Sequence, residues 1–147
     1  MPRSASSRST AGQPATITTG LHNVRSYGAS GDGQTLDTAA INRAIETAAA
    51  AGGGTVFFPA GTYLSFSLRL RSNIALHLDQ GATLLAASPA AGHGCYDEAE
   101  PNEWDQYQDF GHSHWHNSLI WGENLENIAI TGLGRIDGKG LTRGGNP

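Results

Sequence analysis

Apolar positions along the chain follow two different periods. Ile41, Ala44, Ile45, Ala48 and Ala49 recur at the three-four spacing of one buried helical face. Asp37 or Thr38 stands where a cap is needed, and the alanines from position 48 favour helix. Gly52-Gly53-Gly54 ends it, so the pattern predicts a helix over about residues 38–51. Beyond it the period shortens. Residues 55–58, 62–64, 67–71, 73–78 and 82–85 are apolar bursts or alternations separated by Gly, Pro and Gln-Gly turns, and they read as short strands. Before the helix, residues 28–33 (Gly-Ala-Ser-Gly-Asp-Gly) read as a turn.

A repeat organises these strands. Asn73-Ile74-Ala75-Leu76 returns as Asn127-Ile128-Ala129-Ile130, each followed by a Gly and another aliphatic: Gly81 then Leu84, Gly134 then Ile136. One such unit cannot bury its apolar face alone, so recurrence of strand, Gly turn and strand points to stacked coils. A right-handed parallel β-helix fits, making the fold class all-β with an N-terminal capping α-helix. A β-sandwich is the alternative, although no Asn-Gly or Asp-Gly dipeptide sits between strand pairs as a hairpin asks. Residues 1–20, rich in Ser, Thr, Ala and Gly, are expected to be a disordered tail, and 21–147 one domain.

Composition narrows the function classes. The chain has 147 residues, 20 of them Gly, and a formal charge of −4, so no basic balance invites nucleic acid or an anionic membrane surface. No apolar run is long enough to span a membrane, and residues 1–20 show no apolar stretch of a secretory leader, which leaves the compartment open. Cys95 is the single cysteine, so neither an internal disulfide nor a multi-cysteine zinc site is available.

The chemistry concentrates between the two repeat copies. Residues 90–117 form a long insertion with Tyr96, Trp104, Tyr107, Phe110, Trp115 and four of the six histidines. A loop of this length in a compact domain is usually functional. In an extended segment His112, His114 and His116 share one face. Strand rise sets neighbours on that face about 7 Å apart, too far to converge easily on one ion, so no metal is expected. Sugar recognition is a second option, with imidazoles bonding hydroxyls and Trp115 or Trp104 stacking on a ring. A structural loop is the third. The carboxylates Asp97, Glu98, Glu100, Glu103, Asp105 and Asp109 read as a solvated acidic surface, with a hidden acid–base pair the other option. Arg69 and Arg71 share a strand face; they are either exposed charges or bidentate partners for a ligand's carboxylates.

Three passages together carry a resemblance. Asn23-Val24-Arg25-Ser26-Tyr27-Gly28-Ala29-Ser30-Gly31-Asp32-Gly33, then Asp37-Thr38-Ala39-Ala40-Ile41, then Gly52-Gly53-Gly54-Thr55-Val56-Phe57-Phe58-Pro59-Ala60-Gly61-Thr62-Tyr63 resemble the N-terminal opening of pectate-lyase-like β-helix proteins. Leu125-Glu126-Asn127-Ile128-Ala129-Ile130-Thr131-Gly132, ending in Ile136-Asp137-Gly138-Lys139-Gly140, resembles glycoside hydrolase family 28, the polygalacturonases and rhamnogalacturonan hydrolases. The resemblance implies inverting hydrolysis of pectic galacturonan or rhamnogalacturonan chains, without cofactor or essential metal. It also implies that the helix caps the coil stack. That family works with aspartates from Asn-Thr-Asp and Asp-Asp motifs, and this chain contains neither. Gly92-His93-Gly94 matches the family's Gly-His-Gly in letters only, upstream of where the aspartates belong, and Arg135-Ile136-Asp137 misses Arg-Ile-Lys at its last residue. No catalytic residue is therefore assigned, and the chain reads as a truncated, inactive N-terminal part that self-associates through its open end. His112, His114, Trp115 and His116 are the expected substrate-binding residues and a pectic polysaccharide the expected partner. A lyase or epimerase of the same superfold is one alternative. A non-catalytic carbohydrate-binding or tailspike-like β-helix is another.

Overall fold

The computed structural model describes residues 20–100 and 116–141; the expected tail, apart from Gly20, lies outside them. Two short strands come first, β1 (Leu21–Asn23) and β2 (Asp32–Leu36), followed by α1 (Thr38–Ala50). Five strands run on from the helix: β3 (Gly54–Phe58), β4 (Gly61–Ser65), β5 (Leu68–Arg69), β6 (Ile74–Leu78) and β7 (Ala82–Ala86). After the insertion come β8 (Ile120–Trp121), β9 (Ala129–Thr131) and β10 (Arg135–Asp137).

The chain visits three sheets in rotation. Sheet A has the order β1-β3-β6-β9, sheet B β2-β4-β7-β10, and sheet C pairs β5 with β8. Every strand pairing among the described residues is parallel, so the chain does not build the hairpins a sandwich needs. Register carries the apolar positions directly over one another. Val56 lies beside Leu76 and Phe58 beside Leu78; Leu76 lies beside Ile130, and Tyr63 beside Leu84 beside Ile136. Val56, Phe58, Tyr63, Ile74, Leu76 and Leu84 are fully buried between the sheets. The last layer is not covered: Ile130 is 51 % exposed and Ile136 44 %.

The recurrent asparagine marks a corner. Asn73 and Asn127 both hold positive φ, 64° and 56°, and Asn127 Nδ2 donates to Asn73 Oδ1 at 3.1 Å. Asn tolerates this left-handed backbone, and its side-chain amide makes the next copy's bond. Gly53 occupies the same corner one layer up at φ 121°, where a Cβ would stand 2.6 Å from the Asn73 carbonyl oxygen; only glycine fits there. The Asp32-Gly33 step, expected as part of a turn, lies instead inside β2. Gly33 has φ 76°, and the register with β4 shifts between Asp32 and Leu36.

Helix α1 closes the upper end, burying Ala40, Ile41, Ala44, Ile45 and Ala48 on the core. Full burial of Ile41 and Ile45 stabilises the fold by roughly 1.5–3 kcal/mol each. Bonds from Gly53 N–H to Ala48 O and Gly52 N–H to Ala49 O form a Schellman stop. The expected caps act differently. Asp37 makes no side-chain cap; its buried carboxylate accepts the N–H groups of Ser30 (2.9 Å) and Gly31 (3.0 Å), while Thr38 Oγ1 accepts Phe66 N–H at 2.9 Å. The helix start is thus tied to the loop before β2 and to the chain entering sheet C. Among the described residues sheet C has no strand above β5, and Asn42 stands in for one: its Nδ2 donates to Ser67 O at 3.0 Å and its Oδ1 accepts Arg69 N–H at 2.9 Å.

Replacing Asn42→Ala is expected to lower stability by about 1–2 kcal/mol, because two main-chain groups lose their partners. Urea unfolding followed by circular dichroism checks this, and an unchanged midpoint refutes the edge-closing role.

Candidate functional site

The insertion is fastened across sheet C. Its entry and exit are pinned by Ser67, a buried hydroxyl just before β5. Ser67 Oγ accepts Asp97 N–H at 2.9 Å and donates to Ser118 O at 2.8 Å. Leu68 N–H to Leu119 O and Leu70 N–H to Trp121 O then draw the returning chain alongside as β8. On the entry side Tyr96 packs edge-on against Phe66 and donates its hydroxyl to Ala87 O at 2.7 Å; burial pushes that phenol up to about 12.

Around this seam the side chains form one polar relay. Arg69 grips Asp97 with two bonds, Nε to Oδ2 at 2.9 Å and Nη2 to Oδ1 at 2.7 Å. Trp121 Nε1 donates to the same Oδ2 at 2.8 Å. Burial opposes the charged Asp97 carboxylate, but the bonds from Arg69 and Trp121 more than offset it, so the group sits below the usual carboxylate range. The Trp121 ring stacks on His116 with centroids 3.8 Å apart. The main-chain N–H of His116 donates to Glu100 Oε2 at 3.0 Å, and its ring Nε2 lies 2.6 Å from Glu123 Oε1. The arrangement presents an aromatic pair edged by carboxylates.

Of the expected substrate-binding residues, His116 belongs to this relay; His112, His114 and Trp115 lie outside the described residues, as do Trp104, Tyr107 and Phe110. Asp97 and Glu100 are engaged rather than forming a solvated surface, with side chains 21 % and 13 % exposed. The two arginines part company: Arg69 turns to Asp97, and Arg71 pairs with Glu46 of α1. Both guanidinium groups have a carboxylate partner while their side chains stay about half exposed. Gly92-His93-Gly94 follows a short 3-10 turn (Pro89–Ala91), where Gly94 stands against the Phe66 ring. Among the described residues no group of three or more His, Cys, Asp or Glu is arranged to hold a metal ion. Sequence reasoning missed Ser67, Trp121 and Glu123. A serine inside an otherwise apolar-and-charged strand pattern was the available signal for the first.

Comparison with known proteins follows this geometry. Residues 21–136 match the family described as "Rhamnogalacturonase A/epimerase, pectate lyase-like". The chain is 36 % identical over 129 residues to an exo-poly-alpha-D-galacturonosidase of Dickeya chrysanthemi, covering 82 % of this chain and 20 % of the relative. The solved family 28 exopolygalacturonase of Yersinia enterocolitica superposes with a TM-score of 0.63 at 35 % identity, over 84 % of this chain and 21 % of that one. A shorter stretch of 42 residues, 29 % of this chain and 4 % of the relative, is 62 % identical to a mannuronan C5-epimerase of Azotobacter vinelandii. These relatives are named as polysaccharide-active enzymes, and the class the matches define is that of pectate-lyase-like proteins. The chain belongs to the rhamnogalacturonase/epimerase pectate-lyase-like family. It spans about a fifth of the length of the galacturonosidase it matches.

Because the folded Asp97 carboxylate is held below its unfolded value of about 3.9, its bonds stabilise the insertion at neutral pH and fail as pH falls through the lowered folded value. Hydrogen-exchange protection at residues 96–98 and 118–121, taken relative to the intrinsic rate at each pH, is expected to hold near neutrality and to fall in acid as the Asp97 carboxylate takes up its proton. Asp97→Asn should remove most of that acid dependence; an unchanged profile counts against the clamp.

Proposed function

We propose that residues 21–147 form the first coils of a right-handed parallel β-helix, capped by α1, in a pectic glycoside hydrolase acting with inversion on galacturonan or rhamnogalacturonan chains. The observation that carries the reading is the rotation of strands through sheets A, B and C with the insertion anchored across β5 and β8. Membership of the family supports it. The insertion side of sheet C is then the wall that meets the polysaccharide, with His116, Trp121, His112, His114 and Trp115 as its contact residues.

Inverting hydrolysis needs one carboxyl to protonate the leaving oxygen and another to activate water across the ring. The described carboxylates at the site are committed elsewhere, Asp97 to Arg69 and Trp121, Glu100 and Glu123 to His116. With no Asn-Thr-Asp or Asp-Asp motif in the sequence, the 147-residue chain binds glycan without cleaving it. A lyase or epimerase reading rests on the 42-residue match to the mannuronan epimerase.

Affinity electrophoresis separates the two readings. The chain should be retarded in gels containing pectin or rhamnogalacturonan and release no new reducing ends from either. Retardation in alginate alone shifts the assignment to the epimerase side, and retardation in none of the gels removes the glycan-binding role. The uncovered layer at β9 and β10 is also expected to drive self-association. Sedimentation velocity should show species above 15.4 kDa, and a monomer at all concentrations contradicts this.

A further inference from the structure

Arg69 and Arg71 share a strand face, and the structure gives them unequal settings. A guanidinium carries its N–H donors on more than one edge, and each edge can take a carboxylate. Arg69 spends one edge on Asp97, Nε to Oδ2 at 2.9 Å and Nη2 to Oδ1 at 2.7 Å. The other edge, Nη1 with the second N–H of Nη2, has no partner among the described residues. Exposure is uneven in the same sense, with the Arg69 side chain 56 % exposed and that of Asp97 21 %. Two bonds in one plane, with Trp121 Nε1 holding the same carboxylate at 2.8 Å, fix the orientation of the guanidinium, so its outer fork is preset. Arg71 is different. It reaches Glu46 through Nη1, and both side chains of that pair are about half exposed, so a single contact leaves its plane free to turn.

We infer that Arg69 is a specificity-determining residue of the sheet C site: its outer fork receives the carboxylate of an acidic sugar, in the plane that Asp97 sets. The inference rests on the proposed glycan-binding role of sheet C and deepens it. A uronosyl carboxylate presents two charged oxygens in one plane, the shape the fork matches, whereas its methyl ester offers uncharged acceptors that bond more weakly. Glu100 and Glu123 are bonded at the other end of the relay, to the main chain and the ring of His116. Trp121 is the register partner of Arg69 on β8, so a sugar held by the fork lies next to the Trp121–His116 stack. The tie to Asp97 cancels much of the local charge, and recognition at the fork works through paired hydrogen bonds more than through long-range attraction.

The test is calorimetric titration of the 147-residue chain with tetragalacturonate and with its full methyl ester at pH 7. The acid is expected to bind at least about tenfold more tightly, the scale set by hydrogen bonds to a charged group. Arg69→Lys keeps the charge and can still pair with Asp97, but it has no second edge. That variant should bring the acid's affinity to within about threefold of the ester's. Arg71→Lys makes the same chemical change on the same strand face and should leave the ratio of the two affinities within about twofold of the parent chain's. Equal affinities in the parent chain, or tighter binding of the ester, overturn the inference and leave the glycan-binding reading intact. So does an Arg69→Lys chain that loses affinity for both oligosaccharides by the same factor, the mark of a merely structural arginine. An equal fall in the ratio with Arg71→Lys also overturns it, because recognition is then not particular to the fork at Arg69. Failure of both oligosaccharides to bind overturns the glycan-binding reading and the inference with it.

Discussion

Parallel strands stacked in register leave the outermost strand of each sheet with a row of unbonded main-chain groups, and the closing of that edge is the constraint on which this molecule depends. Two different solutions serve the three sheets. Sheets A and B each begin with an added strand, β1 or β2, and sheet C begins with the side chain of Asn42. One helix can do this because its buried face and its polar flank point to different sheets: Ile41 and Ile45 go into the core while Asn42, between them in sequence, turns to the edge of β5. The buried carboxylate of Asp37 fixes the helix start against the loop before β2, so the three closures are held in one piece.

The closure and the site share an element. β5 is bonded on one side by α1 and on the other by β8, and Ser67 at its entrance fastens both ends of the insertion. The relay from Arg69 through Asp97 and Trp121 to His116 then runs along the same strands. Its geometry follows from the coil: side chains at matching positions on β5 and β8, Arg69 and Trp121, are register partners and reach the same carboxylate. Asp97, arriving from elsewhere in the sequence, meets two partners already aligned by the backbone.

Much of the scaffold was legible in the residues. The helix ends within one position of the spacing-based expectation, and β3, β4, β6 and β7 fall on the apolar bursts. The Asn73–Asn127 repeat was visible because a left-handed corner restricts residue choice, and restricted choice leaves a pattern. β1, β2 and β8 were not legible, being short segments whose strand character comes from partners rather than from their own alternation. The caps at Asp37 and Thr38 misled for a related reason: the residue types that cap a helix also bond to loops, and only the fold decides which N–H they receive. At the site, Ser67, Asp97 and Trp121 are distant in sequence and obey no common period. The seam they form becomes visible once β5 and β8 lie side by side.

The insertion lies within a coil whose two ends stay in register, Ala75 beside Ala129 and Thr83 beside Arg135. The ladder therefore reads only where the chain leaves and returns, not how far it travels between. Since the entropy of closing a loop rises only with the logarithm of its length, lengthening or shortening this excursion changes stability little. A lineage built on such a scaffold can lengthen, shorten or rewrite the excursion, and with it the surface that is presented, while the buried columns of Val56, Leu76 and Leu84 stay as they are. Surface chemistry and foldability become separately heritable traits.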